Sequence, residues 1–205
     1  MKTKNLFIAL ISMLFAFQAC TTDDVSLTET GPGDGTNLYA IKDNAFGEYL
    51  KYLKVSGVYS QVSNESGNAV ISYVIDKSNS SMTKLETAGL TTAKEKIKDL
   101  DGIQYFPGAT SLILTSNELT SINLSKSVNL TLLNLNNNWI GSFDLSQNTK
   151  LKTLLYNASS SASAPENSKL IEIDLTHNVE LDTISMTNHE LESIDLSQNT
   201  KLRGV

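Results

Sequence analysis

Few residues of this 205-residue chain have side chains and spacings that could support catalysis or metal binding. Its two histidines, His177 and His189, lie twelve positions apart. A recurring acidic position could set carboxylates in a row, which is a ligand arrangement for a hard cation. That position is occupied by Asn123, Asp144, Asp174 and Asp195. We expect these acids to be exposed turn residues and both histidines to be structural or solvated.

No sequence pattern supplies the other parts of an active site. An enzyme needs a nucleophile, a base or a metal assembled at one place. The chain contains no G-x-S-x-G, H-E-x-x-H or phosphate-binding glycine motif. Residues 64–68 (NESGN) share the glycine of a calcium loop, but Val62 and Tyr73 stand where such a loop has its first Asp and last Glu. The sequence predicts no enzymatic activity, no cofactor and no metal.

The charge of the chain argues against nucleic acid as a partner. The formal net charge is −6, and the one arginine is Arg203. An acidic surface repels phosphate backbones.

The chain has one cysteine, Cys20, so it cannot form an internal disulfide. Lys2 and Lys4 precede an apolar run at 6–17, which is too short for a permanent membrane span. The run is followed by Gln18, Ala19 and Cys20. This arrangement resembles the signal peptides of bacterial lipoproteins, in which the cysteine is acylated and becomes the new N-terminus.

The resemblance implies a cleaved export signal and a lipid anchor. Residues 1–19 would be removed, Cys20 would carry lipid, and residues 20–37, rich in Thr, Asp and Gly, would form a flexible tether. The acidic pair at 23–24 resembles the surface-export signal of lipoproteins from Bacteroidota. We therefore expect a lipid-anchored outer-membrane protein exposed at the cell surface.

A 21-residue repeat organises the second half. LIL at 112–114 returns as LNL at 133–135 and as LLY at 154–156, while ISM at 184–186 follows after nine extra residues. The extra residues form a low-complexity stretch near 159–165. The pattern therefore predicts stacked turns with one insertion.

Other positions keep the same register through the repeats. Apolar columns are formed by Leu119, Ile140, Leu170 and Leu191; by Ile122, Phe143, Ile173 and Ile194; by Leu124, Leu145, Leu175 and Leu196; and by Leu130, Leu151, Leu181 and Leu202. Polar columns are formed by Asn117, Asn138 and His189, and by Ser127, Asn148, Asn178 and Asn199. We expect the first polar column to satisfy backbone groups of adjacent turns.

Residues 109–119 carry the pattern L-x-x-L-x-L-x-x-N-x-L with Ala109 in the first place. The repeats resemble the leucine-rich-repeat family, in particular surface proteins of the Bacteroidota and internalin-like type. That resemblance implies an α/β solenoid with a parallel β-sheet on one face.

The resemblance also divides the chain. Residues 38–108 would form an N-terminal helical cap with an irregular first repeat, and 109–205 a solenoid of about four repeats. Apolar spacing from Ile41 to Leu53 predicts the helix, with Asp43 or Asn44 as its cap. A fifth strand would begin at Val205, so we expect the repeats to continue beyond this sequence.

The function implied by this fold is recognition of a protein ligand, that is, adhesion. The outward side chains of the sheet and its exit would form the binding surface. They are Ile113, Thr115, Glu118, Asn134, Asn136, Trp139, Leu155, Asn157, Ser185, Thr187 and Glu190. Capture of a glycan, with Trp139 stacking on the sugar, and a structural envelope role without a ligand remain open as alternatives.

Overall fold

Two β-sheets organise the part of the chain that the structure describes. This structure, a computed structural model, describes residues 38–52, 54, 58–65, 68–76, 82–86 and 95–203. One sheet has three antiparallel strands and the other has five parallel strands. All described residues belong to the unit formed by residues 36–205.

The N-terminal part combines a helix with the antiparallel sheet. Strand β1 (Leu38–Ile41) is followed by helix α1 (Asn44–Tyr52), β2 (Val58–Glu65) and β3 (Asn68–Asp76). The strand order is β1-β3-β2. The region predicted as a helical cap therefore contains a sheet as well as a helix, because the β-prone run 69–75 is the centre of β3 and pairs on both sides.

Helix α1 is anchored by its capping aspartate. Asp43 Oδ1 accepts a hydrogen bond from the backbone N–H of Phe46 at 2.9 Å, as a helix N-cap does. Its Oδ2 accepts from the backbone N–H groups of Lys98 (2.6 Å) and Asp99 (2.8 Å). One carboxylate thus joins α1 to the segment that enters the repeats. The helix buries Ala45, Phe46, Tyr49 and Leu50, which lie on one face at helical spacing.

A tight turn leads into the repeats. Gly102 has φ +114°, and a 3₁₀ helix follows at Ile103–Tyr105. A Cβ at Gly102 would lie 3.0 Å from Ile75 Cδ1. Both the backbone angle and the packing therefore require glycine here.

The parallel sheet is built from one short strand per turn, in chain order. Its strands are β4 (Lys84–Glu86), β5 (Ser111–Ile113), β6 (Leu132–Asn134), β7 (Thr153–Leu155) and β8 (Thr183–Ser185). Because consecutive turns supply neighbouring strands, the turns stack on one another.

The strand register matches the 21-residue period. Leu112 lies beside Leu133, Leu133 beside Leu154, and Leu154 beside Ile184. The sequence prediction of register across the nine-residue insertion is therefore confirmed. The strands themselves begin one residue earlier than the LIL-type triplets.

The strands start early because the backbone oxygen of the residue before each of strands β4 to β7 accepts hydrogen bonds from two consecutive N–H groups of the next turn. Thr110 O accepts from the backbone N–H groups of Thr131 and Leu132, at 2.8 and 3.1 Å. The same arrangement recurs at later turns, ending with Arg203 N–H on Asp182 O at 2.9 Å. The backbone therefore enters the ladder one residue before the first inward leucine.

Leucines from every turn form one continuous core. The inward leucines of the first three repeats are buried, and the Ile122, Phe143, Ile173 and Ile194 column packs against the core while partly exposed. A single turn could not shield such side chains, so each turn depends on its neighbours.

Buried asparagines bind the return sides together. Asn148 Nδ2 donates to Leu124 O (3.1 Å) and to Ser127 O (2.9 Å) in the preceding turn. Asn178 and Asn199 repeat both bonds one turn further on. Each amide thus satisfies two carbonyls that would otherwise be buried without a partner.

The turns that leave strands β5, β6 and β8 contain a residue in the left-handed backbone conformation. Ser116, Asn137 and Asn188 occupy the same place in their repeats and have φ near +60°. Asn tolerates this conformation better than most residues. The third repeat has Ala158 at that place, and Ala158 is buried without positive φ. The insertion begins directly after it.

Several predictions fall on residues outside those described. They are the signal peptide at 1–19, the acylated Cys20, the tether at 20–37 and the fifth strand at Val205.

Candidate functional site

The predicted binding residues of the sheet lie side by side on one surface. Eight predicted positions alternate with buried core residues and are half-buried or exposed, and three preceding strand positions extend the same rows. We call these eleven positions the neutral face. They are Ile113, Thr115, Leu132, Asn134, Asn136, Thr153, Leu155, Asn157, Thr183, Ser185 and Thr187.

The neutral face, which is formed by β5 to β8 and their exits, carries no ionisable side chain, whereas the edge strand β4 has Lys84 beside Ser111 and Glu86 beside Ile113. Charged residues make up 19% of the chain, so eleven average positions would include about two. Some charges of the same repeats lie on the return side, where Glu180 pairs with Lys201 and the aspartate row is exposed, while Lys152 and Asp182 directly precede strands β7 and β8. Near the middle, Ile113 and Leu155 flank Asn134 on the neighbouring strands. The surface therefore has an apolar centre within amides and hydroxyls.

The asparagines of this face also hold the backbone. Asn134 Oδ1 accepts from the N–H of Asn136 (3.1 Å), and Asn136 Oδ1 accepts from the N–H of Asn157 (2.7 Å). Asn157 Oδ1 accepts from Ser185 Oγ and from the N–H of Thr187. Within the described residues no hydrogen bond engages their Nδ2 atoms, so these donors remain available for hydrogen bonds outside the sheet. Substituting them would disturb the fold as well as binding.

One margin of the face is formed by Glu118, Trp139 and Glu190. Lys98 lies 3.7 Å from Glu118, and Lys169 lies 3.2 Å from Glu190. Trp139 is half-buried and does not belong to the core. The three predicted residues are brought to equivalent places, because each directly follows the strand-exit polar column.

That polar column is a hydrogen-bond ladder between turns. Asn138 Oδ1 accepts from Leu119 N–H (3.2 Å), and its Nδ2 donates to Leu114 O (2.7 Å). Trp139 N–H then donates to Leu119 O (2.9 Å). One turn earlier, Asn117 Oδ1 accepts from Ile97 N–H in the same way. The predicted role of these asparagines is confirmed.

The third repeat has no asparagine in this slot, and a tyrosine replaces it. Tyr156 is fully buried, and its hydroxyl accepts from Ile140 N–H and donates to Ile140 O, both at 2.7 Å. Burial raises the pKa of this hydroxyl to about 12. The hydroxyl of Tyr156 therefore makes both hydrogen bonds to the preceding turn, whereas in the second repeat the side chain of Asn138 makes one and the backbone N–H of Trp139 makes the other.

His189 completes the ladder in the fourth repeat. Its Nδ1 accepts from Leu170 N–H at 3.2 Å, so the ring is the tautomer with hydrogen on Nε2, which donates to Tyr156 O at 2.7 Å. The ring also packs on Tyr156, with centroids 4.5 Å apart. Burial lowers the pKa of His189. The histidine is structural, as predicted.

The insertion is fixed at its far end by a glycine. Gly141 directly follows Ile140, and a Cβ there would lie 2.1 Å from the backbone oxygen of Asn167. The returning end of the insertion therefore packs directly against the backbone of Gly141. Neither Gly141 nor the ladder role of Tyr156 was predicted from the sequence. A glycine at one turn of an otherwise side-chain-bearing column, next to an insertion, was the available signal.

The aspartate row and His177, the candidates for metal binding or catalysis, lie in turns. Asp144, Asp174 and Asp195 each accept the backbone N–H two residues later, at 2.7 to 2.8 Å. Hydrogen bonds from the backbone and the hydroxyls of Ser146, Thr176 and Ser197 lower the pKa values of these acids. His177 is exposed.

No cluster of three or more His, Cys, Asp or Glu side chains placed to hold a metal occurs among the described residues. Likewise, none of the helices in the described ranges is long and apolar enough to cross a membrane. Of the calcium-loop-like stretch, Glu65 and Asn68 pair across the β2–β3 hairpin.

We expect Tyr156→Phe to lower the free energy of unfolding by about 3 kcal/mol. The change leaves two buried backbone groups of Ile140 without a partner, at about 1–3 kcal/mol each. Denaturant unfolding followed by circular dichroism measures the loss. Tyr49→Phe, at a buried tyrosine outside the ladder, is the control. Equal losses in the two variants would contradict the ladder role of the hydroxyl.

We expect the protein to lose stability as the pH falls below about 6.5, the ordinary pKa of histidine. Because the pKa of His189 is lowered in the folded state, the unfolded chain takes up this proton first, and stability falls until the folded pKa is passed. Protonated Nδ1 could not accept from Leu170 N–H. Lys169 lies nearby and opposes protonation, while Glu190 pairs with that lysine.

The measurement is the melting temperature between about pH 7.5 and 5.5. His189→Asn keeps the ladder chemistry and should flatten the profile, whereas His177→Asn should not. A profile unchanged by His189→Asn would assign the acid sensitivity to other groups.

Comparison with known proteins finds similarity to solved structures. No protein-family model and no curated protein matches the chain. The chain is similar to a solved structure described as the functional domain of InlJ from Listeria monocytogenes, which includes a cysteine ladder. The identity is 23%, the match covers 52% of this chain, and the TM-score is 0.38. The matched part spans 26% of the length of that structure.

Proposed function

We propose that this chain is a leucine-rich-repeat surface protein that binds a protein ligand through the neutral face. The observation that carries the proposal is the absence of ionisable side chains from eleven neighbouring outward positions. Centres of protein–protein interfaces are depleted of charge, because a charge buried there without a partner is costly. Ile113 and Leu155 supply the apolar centre, and the asparagine Nδ2 atoms supply donors around it.

The margin of the face fits the same role. Trp139 is half-buried beside the face, and tryptophan is prominent among residues that dominate binding energy. Glu118 and Glu190, each beside a lysine, provide a polar rim. Interfaces commonly have this order, with an apolar centre, an aromatic anchor and a solvated edge.

The location is part of the proposal and rests on the N-terminal sequence. The basic start, the apolar run at 6–17 and Ala19-Cys20 support lipidation of Cys20. Acylation would hold the protein on an outer membrane, and residues 20–37 would let the repeats reach outward.

We expect residues 21–205 to bind a purified extracellular protein on an array through the neutral face. In surface plasmon resonance with that protein, Leu155→Glu should weaken binding at least tenfold by placing a charge in the centre of the interface. Trp139→Ala should weaken binding similarly. Thr149→Glu on the exposed return side is the control.

Three outcomes would contradict this proposal. Binding to glycans alone that is lost in Leu155→Glu would favour capture of a carbohydrate by the neutral face. Silence on both arrays would favour a structural envelope role. A protein ligand that binds Leu155→Glu as well as the original chain would place the interface elsewhere.

We expect Cys20→Ser to release the protein from membranes. The substitution removes the thiol that would be acylated, and a lipid anchor depends on those chains. Fractionation of cells with immunodetection measures the shift, with Thr22→Ser as the control. Retention of Cys20→Ser in the membrane fraction would refute the anchor.

A further inference from the structure

The insertion in the third repeat forms a cleft outside the neutral face. Its volume is about 330 Å³, at the lower end of the range for small-molecule sites. Four serines, Ala164, Pro165, Glu166 and the ion pair of Lys169 with Glu190 line it. The feature occurs once in the described repeats, because the other turns have no insertion.

The walls of the cleft are held by local hydrogen bonds. Ser159 Oγ accepts from Ser161 N–H at 3.2 Å, and Ser161 Oγ accepts from Ser163 N–H at the same distance. Ser168 N–H donates to Pro165 O at 3.1 Å, and Ser168 is buried. The loop is also fixed at its ends by Tyr156 and Gly141. The cleft is therefore largely formed before any ligand arrives, which reduces the ordering cost of binding.

The lining selects the chemistry of a ligand. The serine hydroxyls still have donor capacity, since two of them act only as acceptors within the loop. Glu166 and Glu190 accept hydrogen bonds, and their two charges against that of Lys169 disfavour an anion. Ala164 and Pro165 offer a small apolar corner. A ring with hydroxyls on its edge and C–H groups on its face matches this set.

We propose that this cleft binds an uncharged pyranose sugar, free or at the end of a glycan. The site is separate from the neutral face, so it adds a small-ligand function to that of protein recognition. Ser160 and Glu190 share the repeat position of Trp139, which places the cleft along the same margin of the sheet.

Equilibrium dialysis of the full chain against labelled glucose, galactose, mannose, N-acetylglucosamine and glucuronate tests the proposal. At least one neutral sugar should bind with a Kd below about 10 mM, within the range of weak small-ligand binding. Glucuronate should bind at least tenfold more weakly than glucose, because it adds a carboxylate beside Glu166 and Glu190. A glycan carrying the bound sugar at its end distinguishes a terminal residue from a free sugar.

Variants assign the site. Ser160→Trp should fill the cleft and abolish sugar binding, and Glu166→Ala should weaken it about tenfold by removing a charged acceptor. Glu172→Ala, at an exposed glutamate outside the lining, and Leu155→Glu on the neutral face should leave it unchanged.

Three results would overturn the proposal. They are absence of binding by every neutral sugar, binding that survives Ser160→Trp, and glucuronate bound more tightly than glucose. Loss of sugar binding in Leu155→Glu would move the sugar site to the sheet instead. Leu155→Glu separates the two proposals, because it should abolish protein binding by the neutral face and leave sugar binding by the cleft intact, so either proposal can fail alone.

Discussion

Each turn leaves one backbone N–H facing the next turn just after the chain has left the sheet, and a side chain of that next turn must accept it. The residues that donate are Ile97, Leu119, Ile140 and Leu170. Leucine burial supplies the driving force for stacking, but it is not directional. The ladder acceptors are directional, so they fix how far one turn is rotated and shifted on the next.

The ladder tolerates three different side chains because it specifies geometry rather than identity. An amide, a phenol and a neutral imidazole can each accept one hydrogen bond and donate another. Where the ladder residue is an asparagine, the backbone N–H of the residue after it donates the second hydrogen bond to the preceding turn. The phenol of Tyr156 frees that backbone, and the insertion begins at this point. The imidazole of His189 makes the fourth turn sensitive to protonation.

The sequence predicted whatever depends on periodic burial. The pairing of Leu154 with Ile184 across nine extra residues followed from the columns, because displacing a turn would expose every leucine in it. The roles of Asn138 and His189 followed from their shared slot. These features recur with the repeats, so their positions can be read from the period of the sequence.

Features that occur once were harder to foresee. Tyr156 occupies a leucine column, so burial was expected, but its hydroxyl acts on a different slot. Gly141 is explained by the backbone of Asn167, 26 residues later, which no local pattern indicates. The run 69–75 is β-prone in the sequence, but its place in the antiparallel sheet of 38–76 could not be predicted, because the pairing of β3 with two partners depends on tertiary contacts. Eight positions of the neutral face were predicted by alternation, while the second function of its asparagines as backbone acceptors depends on the exact path of the chain.

The two anchors of the insertion have a consequence for how this protein can change over generations. Tyr156 precedes the loop, and Gly141 receives its last residues, so the stack is secured on either side of residues 159–166. Within those limits, substitutions and changes of length leave the leucine register untouched, since the closure entropy of a surface loop grows slowly with length. The segment is therefore an exchangeable cassette. Lineages exposed to different surroundings can diversify it while inheriting an unaltered scaffold.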